Sequence, residues 1–90
     1  LPFEAVNVWN VTAGTRFETY AIEGHPNSTA VCVNGAAAHL VTPGDIIIIA
    51  SFIQLAEAQC ESFLPTVVFV DQNNRIRELR AEVVPVLETV

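Results

Sequence analysis

Hydrophobic residues occur in short runs separated by polar turns that contain glycine or proline, a pattern typical of a chain built mainly from β-strands. The runs predict strands at residues 5–11, 16–22, 30–33, 46–52, 67–70 and 75–80. A last extended piece is predicted at residues 81–86, where Pro85 is typical of a sheet edge. Five or six short strands with tight turns predict a small β-barrel, organised as a single domain over residues 1–90.

The first two predicted strands form a hairpin around a turn at residues 12–15, where Gly14 can adopt a positive φ. Successive side chains of a strand point to opposite faces of the sheet. The second strand therefore presents two sets of side chains, namely Phe17, Thr19 and Ala21 on one face and Arg16, Glu18, Tyr20 and Ile22 on the other.

Helix is predicted in two short places. Asn34-Gly35 is a turn signal, and the alanines that follow it predict one helical turn at residues 36–40. Residues 54–62 show helical spacing, and Pro65 ends that segment. A barrel made from these elements must close, because an open edge leaves backbone groups unpaired. Since the chain contains no methionine, we expect its true beginning, and a first strand needed for closure, to lie outside these ninety residues.

Composition predicts the kind of partner that this chain meets. Hydrophobic residues make up 51% of the chain and charged residues 16%, so an oligomer that covers apolar surface is preferred to a tightly packed monomer. The net charge of −6 argues against nucleic acid and anionic membranes, because carboxylates repel phosphates. The aliphatic run at residues 46–50 is far shorter than the roughly 20 residues of a membrane helix. We expect a cytoplasmic protein with Cys32 and Cys60 as buried free thiols.

The absence of lysine limits the chemistry that the chain can perform. It excludes a lysine Schiff base and a lysine-linked pyridoxal phosphate, so imine chemistry would require a carbonyl on the protein. His25 is predicted to be solvated and His39 to be structural. No spacing of histidines, cysteines or carboxylates predicts a metal site, and no nucleotide-binding motif is present.

Two segments are candidates for a binding or catalytic site. Arg16 and Tyr20 lie four residues apart on one strand face, about 13 Å along the strand. An arginine can bind a carboxylate through two hydrogen bonds and a tyrosine can donate a proton, although spacing alone favours a surface arginine beside a half-buried tyrosine. In residues 34–39, small side chains after Gly35 would let backbone N–H groups approach a ligand. A helix cap followed by tight packing explains the same composition equally well.

Several motifs together resemble the bacterial aspartate 1-decarboxylase family. They extend over nearly the whole chain and are weakest in the C-terminal tail. The most specific is N-G-A-A-A-H followed closely by G-D-I-I-I-I-A. The matching residues are Val8-Trp9-Asn10-Val11-Thr12 with Gly14, Arg16-Phe17, Thr19-Tyr20-Ala21-Ile22, Val33-Asn34-Gly35-Ala36-Ala37-Ala38-His39, Gly44-Asp45-Ile46-Ile47-Ile48-Ile49-Ala50, Pro65-Thr66-Val67-Val68 and Val70-Asp71.

The resemblance implies a double-psi β-barrel that assembles as a homotetramer and converts L-aspartate to β-alanine and carbon dioxide for pantothenate biosynthesis. The family precursor cleaves itself at a Gly-Ser bond. The serine becomes a pyruvoyl group, which forms an imine with the substrate amine, and the short N-terminal β chain stays as a separate partner. That junction lies upstream of Leu1 in the family pattern, so these ninety residues alone are expected to be inactive.

The resemblance also implies roles for individual residues. Arg16 would bind a substrate carboxylate, Tyr20 would protonate the carbanion, and Thr19 would stabilise the oxyanion of self-cleavage. The remaining implied residues form the substrate pocket: Asn34 with the backbone of Gly35, Ala36 and Ala37, and the walls Trp9, Ile22 and Ile48.

Two other functions are compatible with the residues. One is a non-catalytic or truncated barrel without the serine that generates the pyruvoyl group. The other is a cysteine hydrolase that uses Cys32 or Cys60 with His39, although no residue that would orient such a pair is identifiable.

Overall fold

The computed structural model of the protein describes residues 1–81, and these are mainly β. The strands are β1 (Ala5–Asn10), β2 (Arg16–Tyr20), β3 (Ile47–Ala50), β4 (Thr66–Val70) and β5 (Ile76–Ala81). The helices are a 3-10 helix at Gly35–Leu40 and α1 at Glu57–Cys60. The predicted fold class, mainly β with one or two short helices, is confirmed.

Two predicted strands have a different outcome. Residues 30–33 form no strand, because strand formation depends on a paired neighbour and no described strand pairs with them. The extended piece predicted at residues 81–86 lies, apart from the end of β5, outside the described residues.

The chain divides into two compact units, Leu1–Ile53 and Gln54–Val90. The first contains an antiparallel sheet in the order β2-β1-β3, and the second contains the hairpin β4-β5. This arrangement is consistent with a small β-barrel. Closure of the barrel and its organisation as one domain over residues 1–90 stay predictions.

The register of the first sheet confirms the predicted hairpin. Val8 of β1 lies opposite Phe17 of β2 and Ile49 of β3. The neighbouring residue Trp9 points to the other face and lies opposite Arg16 and Ile48. Gly14 has a φ of +77° in the connecting turn, as expected for a residue without Cβ.

The second unit is built on a hairpin that carries much of the positive charge of the chain. Arg80 lies over the ring of Phe69, with its guanidinium carbon 4.8 Å from the ring centroid, which is favourable cation–π geometry. In the turn, the Asp71 carboxylate accepts hydrogen bonds from the backbone N–H groups of Asn73 and Arg75 at 2.8 and 3.0 Å. These bonds lower the pKa of Asp71.

Two residues are buried among residues 1–80, and neither is fully enclosed. Val8 is 4% exposed and Asn10 is 2% exposed, whereas Ile46 and Phe52 remain 66% and 70% exposed. Much apolar surface is therefore not covered within residues 1–81.

Cys32 and Cys60 are free but exposed, so the prediction that they are buried is wrong. Cys32 lies in the segment that forms no strand and Cys60 ends a four-residue helix, so neither has a packed face around it.

The buried amide of Asn10 joins three segments of the first unit. Its Nδ2 donates to the carbonyl oxygen of Leu40 at 3.1 Å and to Asp45 Oδ2 at 2.8 Å. Its Oδ1 accepts a hydrogen bond from the N–H of Ala13 at 2.9 Å. Because a buried polar group is costly without partners, these bonds favour one arrangement of the three segments.

Asp45 is the anionic member of this network. Its Oδ2 also accepts a hydrogen bond from the N–H of Thr42 at 2.9 Å. The donated bond from Asn10, and then that from Thr42, lower the pKa of the Asp45 carboxyl. The charged form of Asp45 is therefore the form that the fold stabilises.

We expect the stability of the full-length protein to depend on pH through Asp45. Because the folded-state pKa is lowered, the contribution is fully present above the unfolded value of about 3.9. It is lost as the pH falls through the lower folded-state pKa. Urea unfolding from about pH 6 downwards should show that Asp45→Asn weakens this acid dependence. The exposed control Glu57→Gln should retain it. Identical pH profiles for wild type and Asp45→Asn would contradict this account.

Candidate active site

A cavity of about 800 Å³ lies in the first unit, large enough for a small-molecule substrate. One side is the sheet face that carries Val8, Phe17 and Ile49. The other side is formed by the irregular segment that follows β2 and leads into the 3-10 helix. This segment therefore covers a sheet face that the strands leave open.

The cavity brings together six of the ten predicted site residues and leaves out four. Thr19 lies on the face that lines it, opposite Val6 of β1. The six predicted site residues that line the cavity are Thr19, Tyr20, Ile22, Asn34, Ala36 and Ala37. The residues that do not line it are Trp9, Arg16, Gly35 and Ile48.

Three of those four residues form a row across the opposite face of the sheet. Arg16, Trp9 and Ile48 are direct neighbours on β2, β1 and β3. Cross-strand neighbours on one face have Cβ atoms about 5 Å apart, so the indole and the isoleucine lie beside the arginine. Arg16, Trp9 and Ile48 thus lie on the sheet face opposite Val8 and Phe17, whereas Tyr20, which starts from the same strand face as Arg16, still lines the cavity.

Arg16 is exposed and its guanidinium forms no ion pair or hydrogen bond with the described residues. Glu18 lies two positions further along the same strand face, beyond ion-pair distance. A guanidinium with five donors and no bound carboxylate is able to take an external one in a bidentate manner.

Tyr20 ends β2 and its side chain is 55% exposed. Its ring lies against that of Phe3, with centroids 6.3 Å apart and planes tilted by 37°, within the usual range of aromatic pairs. Phe3 is itself fixed by a 2.7 Å hydrogen bond from its N–H to the carbonyl oxygen of Ala21. The phenol ring is therefore supported on one side while its hydroxyl stays accessible.

The segment at Asn34 differs from an ordinary helix cap. Asn34 occupies the N-cap position of the 3-10 helix but its side chain makes no capping hydrogen bond. Gly35 has a φ of +66°, and nothing lies within 4 Å of the position that a Cβ would occupy. Glycine is thus required there by backbone conformation rather than by lack of space. The alternative of a cap followed by tight packing is not what this segment shows, since none of Gly35–Leu40 is buried.

Sequence reasoning did not assign His25 or Cys32 to the site, yet both line the cavity. No motif marks them, because they reach the cavity through the path of an irregular segment.

Within residues 1–81, no group of three or more histidine, cysteine or acidic side chains is arranged to hold a metal ion. No helix in the same part of the chain combines the length and apolar character needed to cross a membrane.

Comparison with known proteins gives the family. The model of a family described as aspartate decarboxylase matches residues 1–77. The chain belongs to the aspartate decarboxylase family. The resemblance based on the N-G-A-A-A-H and G-D-I-I-I-I-A motifs is therefore confirmed.

Curated relatives in the aspartate decarboxylase family support the same assignment. The chain is 71% identical over 82 residues to aspartate 1-decarboxylase of Legionella pneumophila (strain Lens), covering 91% of this chain and 62% of the relative. It is 52% identical over 82 residues to the enzyme of that name from Rhodopirellula baltica, covering 91% of this chain and 53% of the relative. For the Myxococcus xanthus relative, also named aspartate 1-decarboxylase, the identity is 56% over 73 residues. The chain thus spans about three fifths, or less, of the length of these relatives.

Proposed function

We propose that the protein to which this chain belongs decarboxylates L-aspartate to β-alanine and carbon dioxide. The observation that carries this proposal is the exposed guanidinium of Arg16, which has no partner among residues 1–81 and shares a strand face with Tyr20. The membership of the chain in the aspartate decarboxylase family narrows the carboxylate ligand to aspartate. A cation that binds a carboxylate and a phenol that donates a proton are two of the groups that such a reaction uses on the protein.

A protein-derived pyruvoyl group fits the residues that are present. The substrate carries the amine, so its imine partner must be a carbonyl, and these ninety residues contain no lysine that could hold a pyridoxal phosphate. When present, a pyruvoyl group supplies a carbonyl that condenses with the substrate amine and withdraws the electron pair left by carbon dioxide. The chain also contains no Gly-Ser pair, so the serine would come from a part of the precursor outside these residues. The proposed reaction uses neither a metal ion nor pyridoxal phosphate.

Arg16 and Tyr20 divide the work of the reaction. Arg16 binds one carboxylate of aspartate and orients the substrate amine. Tyr20 holds its hydroxyl proton and delivers it to the α-carbon after carbon dioxide has left. Although about 13 Å separates their positions along the strand, both side chains are long and lie on one face with only Glu18 between them.

The other implied residues act in self-cleavage and binding. Thr19, on the cavity face of β2, stabilises the oxyanion during precursor cleavage. Asn34 contributes an amide that makes no cap hydrogen bond, and the Gly35–Ala37 backbone lies beside it. Trp9, Ile22 and Ile48 provide apolar walls. Because Trp9, Arg16 and Ile48 do not line the cavity, a complete site in this proposal combines residues from more than one copy of the chain.

A site shared between copies supports an oligomer, and the resemblance to the family implies that this oligomer is a homotetramer. The exposed apolar side chains of the first unit, such as Ile48 and Ile49, are suitable for burial between copies. We further propose that the short N-terminal β chain of the precursor completes the barrel and that the enzyme supplies cytoplasmic pantothenate biosynthesis.

The proposal is tested by intact mass measurement of the full-length protein as purified. We expect a short chain and a longer pyruvoyl-ended chain. Borohydride together with L-aspartate should add the mass of a reduced amine adduct to the longer chain alone, and β-alanine should accumulate without borohydride. Borohydride without aspartate is the control. A single uncleaved species that forms neither adduct nor β-alanine would leave the non-catalytic barrel as the function class.

Arg16→Ala in the complete protein should lower kcat/KM for L-aspartate about a hundredfold, because charge-assisted hydrogen bonds contribute about 1.5–3 kcal/mol each. Self-cleavage of the precursor, measured by gel electrophoresis, should be mostly retained. Arg77→Ala, which removes an exposed arginine of β5, is the matched control and should retain wild-type kinetics. Unchanged steady-state parameters in Arg16→Ala would refute its role.

Tyr20→Phe should reduce kcat by a factor of about 10²–10⁴, the usual contribution of a positioned general acid, while the protein stays folded and cleaved. Trapping with borohydride should still yield an adduct, since only the final proton transfer is lost. Retention of full activity would mean that a different group protonates the product.

A further inference from the structure

The 3-10 helix at Gly35–Leu40 lies beside the cavity without a packed core beneath it. None of its residues is buried, so hydrophobic burial contributes little to holding it in place. Its last residue, Leu40, offers a carbonyl oxygen that accepts two hydrogen bonds, one from Asn10 Nδ2 and one from Thr15 Oγ1, both at 3.1 Å. The helix is therefore attached to the β1–β2 hairpin through its C-terminal end.

The turn after the helix is attached at the same point. Asp45 Oδ2 accepts hydrogen bonds from Asn10 Nδ2 and from the N–H of Thr42, at 2.8 and 2.9 Å. The side-chain amide of Asn10 thus holds both ends of the segment that runs from Leu40 to Asp45. Because Asn10 is only 2% exposed, water competes little for these bonds.

Movement of this connection would move the site. Asn34 and Ala37 line the cavity at the start of the same short helix, a few residues from the Leu40 attachment. The helix has six residues, which is about two turns at 3.0 residues per turn, so a displacement of Leu40 acts within two turns of the residues that line the cavity.

We propose that Asn10 and Asp45 are positioning residues that hold the Gly35–Leu40 helix so that Asn34 and the Gly35–Ala37 backbone meet the substrate. This inference rests on the proposed function, and it assigns a role to two residues, the buried Asn10 and the half-buried Asp45, that touch no substrate. The pair acts through geometry, so its loss should change substrate binding more than the chemical step.

The test is Asn10→Asp in the full-length protein. The new carboxylate keeps the acceptor for Ala13 but removes both donated bonds and places two carboxylates in contact. We expect KM for L-aspartate to rise about tenfold, in line with the loss of one or two net hydrogen bonds, with kcat per pyruvoyl-ended chain changed less than twofold. Hydrogen exchange at the amides of residues 35–38 should accelerate more than exchange in β1.

Rescue distinguishes positioning from a general loss of stability. Adding Asp45→Asn to Asn10→Asp replaces the facing carboxylate by an amide that can donate, and KM should return to within about threefold of wild type. Asn73→Asp, which adds the same charge at an exposed turn, is the control and should leave KM unchanged. Should Asn10→Asp fail to fold, Thr15→Val removes only the second bond to Leu40 and should raise KM by about two- to threefold.

The outcomes separate the two proposals. Lower thermal stability with unchanged KM and unchanged local exchange in these variants would overturn the positioning role while the proposed activity stands. If the wild-type protein shows no aspartate turnover, the proposed function fails, and unchanged exchange at residues 35–38 in Asn10→Asp would overturn the positioning role separately.

Discussion

The hydrogen bonds of the buried Asn10 amide are the constraint on which the first unit depends. Among residues 1–80, Asn10 and Val8 are the two buried residues, and they lie on the same face of β1, two residues apart. The amide is buried at a cost that its partners offset. Those partners are the hairpin turn at Ala13, the carbonyl oxygen of Leu40 and the carboxylate of Asp45. Polar contacts thus provide the specificity that so small an apolar core cannot.

The same central strand separates the two halves of the proposed chemistry. On one face, β1 contributes Val6 and Val8 to the cavity beside Thr19. On the other, Trp9 lies between Arg16 and Ile48. A period of two along the strand places neighbouring residues on opposite sides of the sheet. Thr19 and Tyr20 therefore start from different faces, yet both line the cavity, whereas Arg16 does not. In the proposed site, assembly of copies would overcome this separation of Arg16 from the cavity.

The alternation of side chains predicted the hairpin and its two faces, because a half-buried antiparallel strand follows a strict period. The same reasoning failed for residues 30–33, where Val31 and Val33 alternate but no described strand pairs with them. The hydrophobic pattern indicates that a segment prefers the strand conformation. Whether it pairs into a sheet depends on a neighbouring strand that is distant in sequence. The family followed from motifs, yet the roles of Arg16 and Tyr20 came from resemblance and not from spacing. The role inferred for Asn10 needs contacts 30 and 35 residues away, which no local pattern contains.

The proposal that a single arginine selects an acidic substrate has to be compatible with the acidic charge of the chain. Residues 1–53 contain four carboxylates and one arginine, Arg16. Such a surface repels anions at long range, but screening limits that repulsion to about 8–10 Å at physiological salt. At contact, the bidentate geometry of a guanidinium outweighs the remaining repulsion. Asp45 already accepts bonds from Asn10 and Thr42, so it does not compete for Arg16. Since Glu18 forms no ion pair with Arg16 either, the guanidinium of Arg16 stays available to a ligand among the described residues.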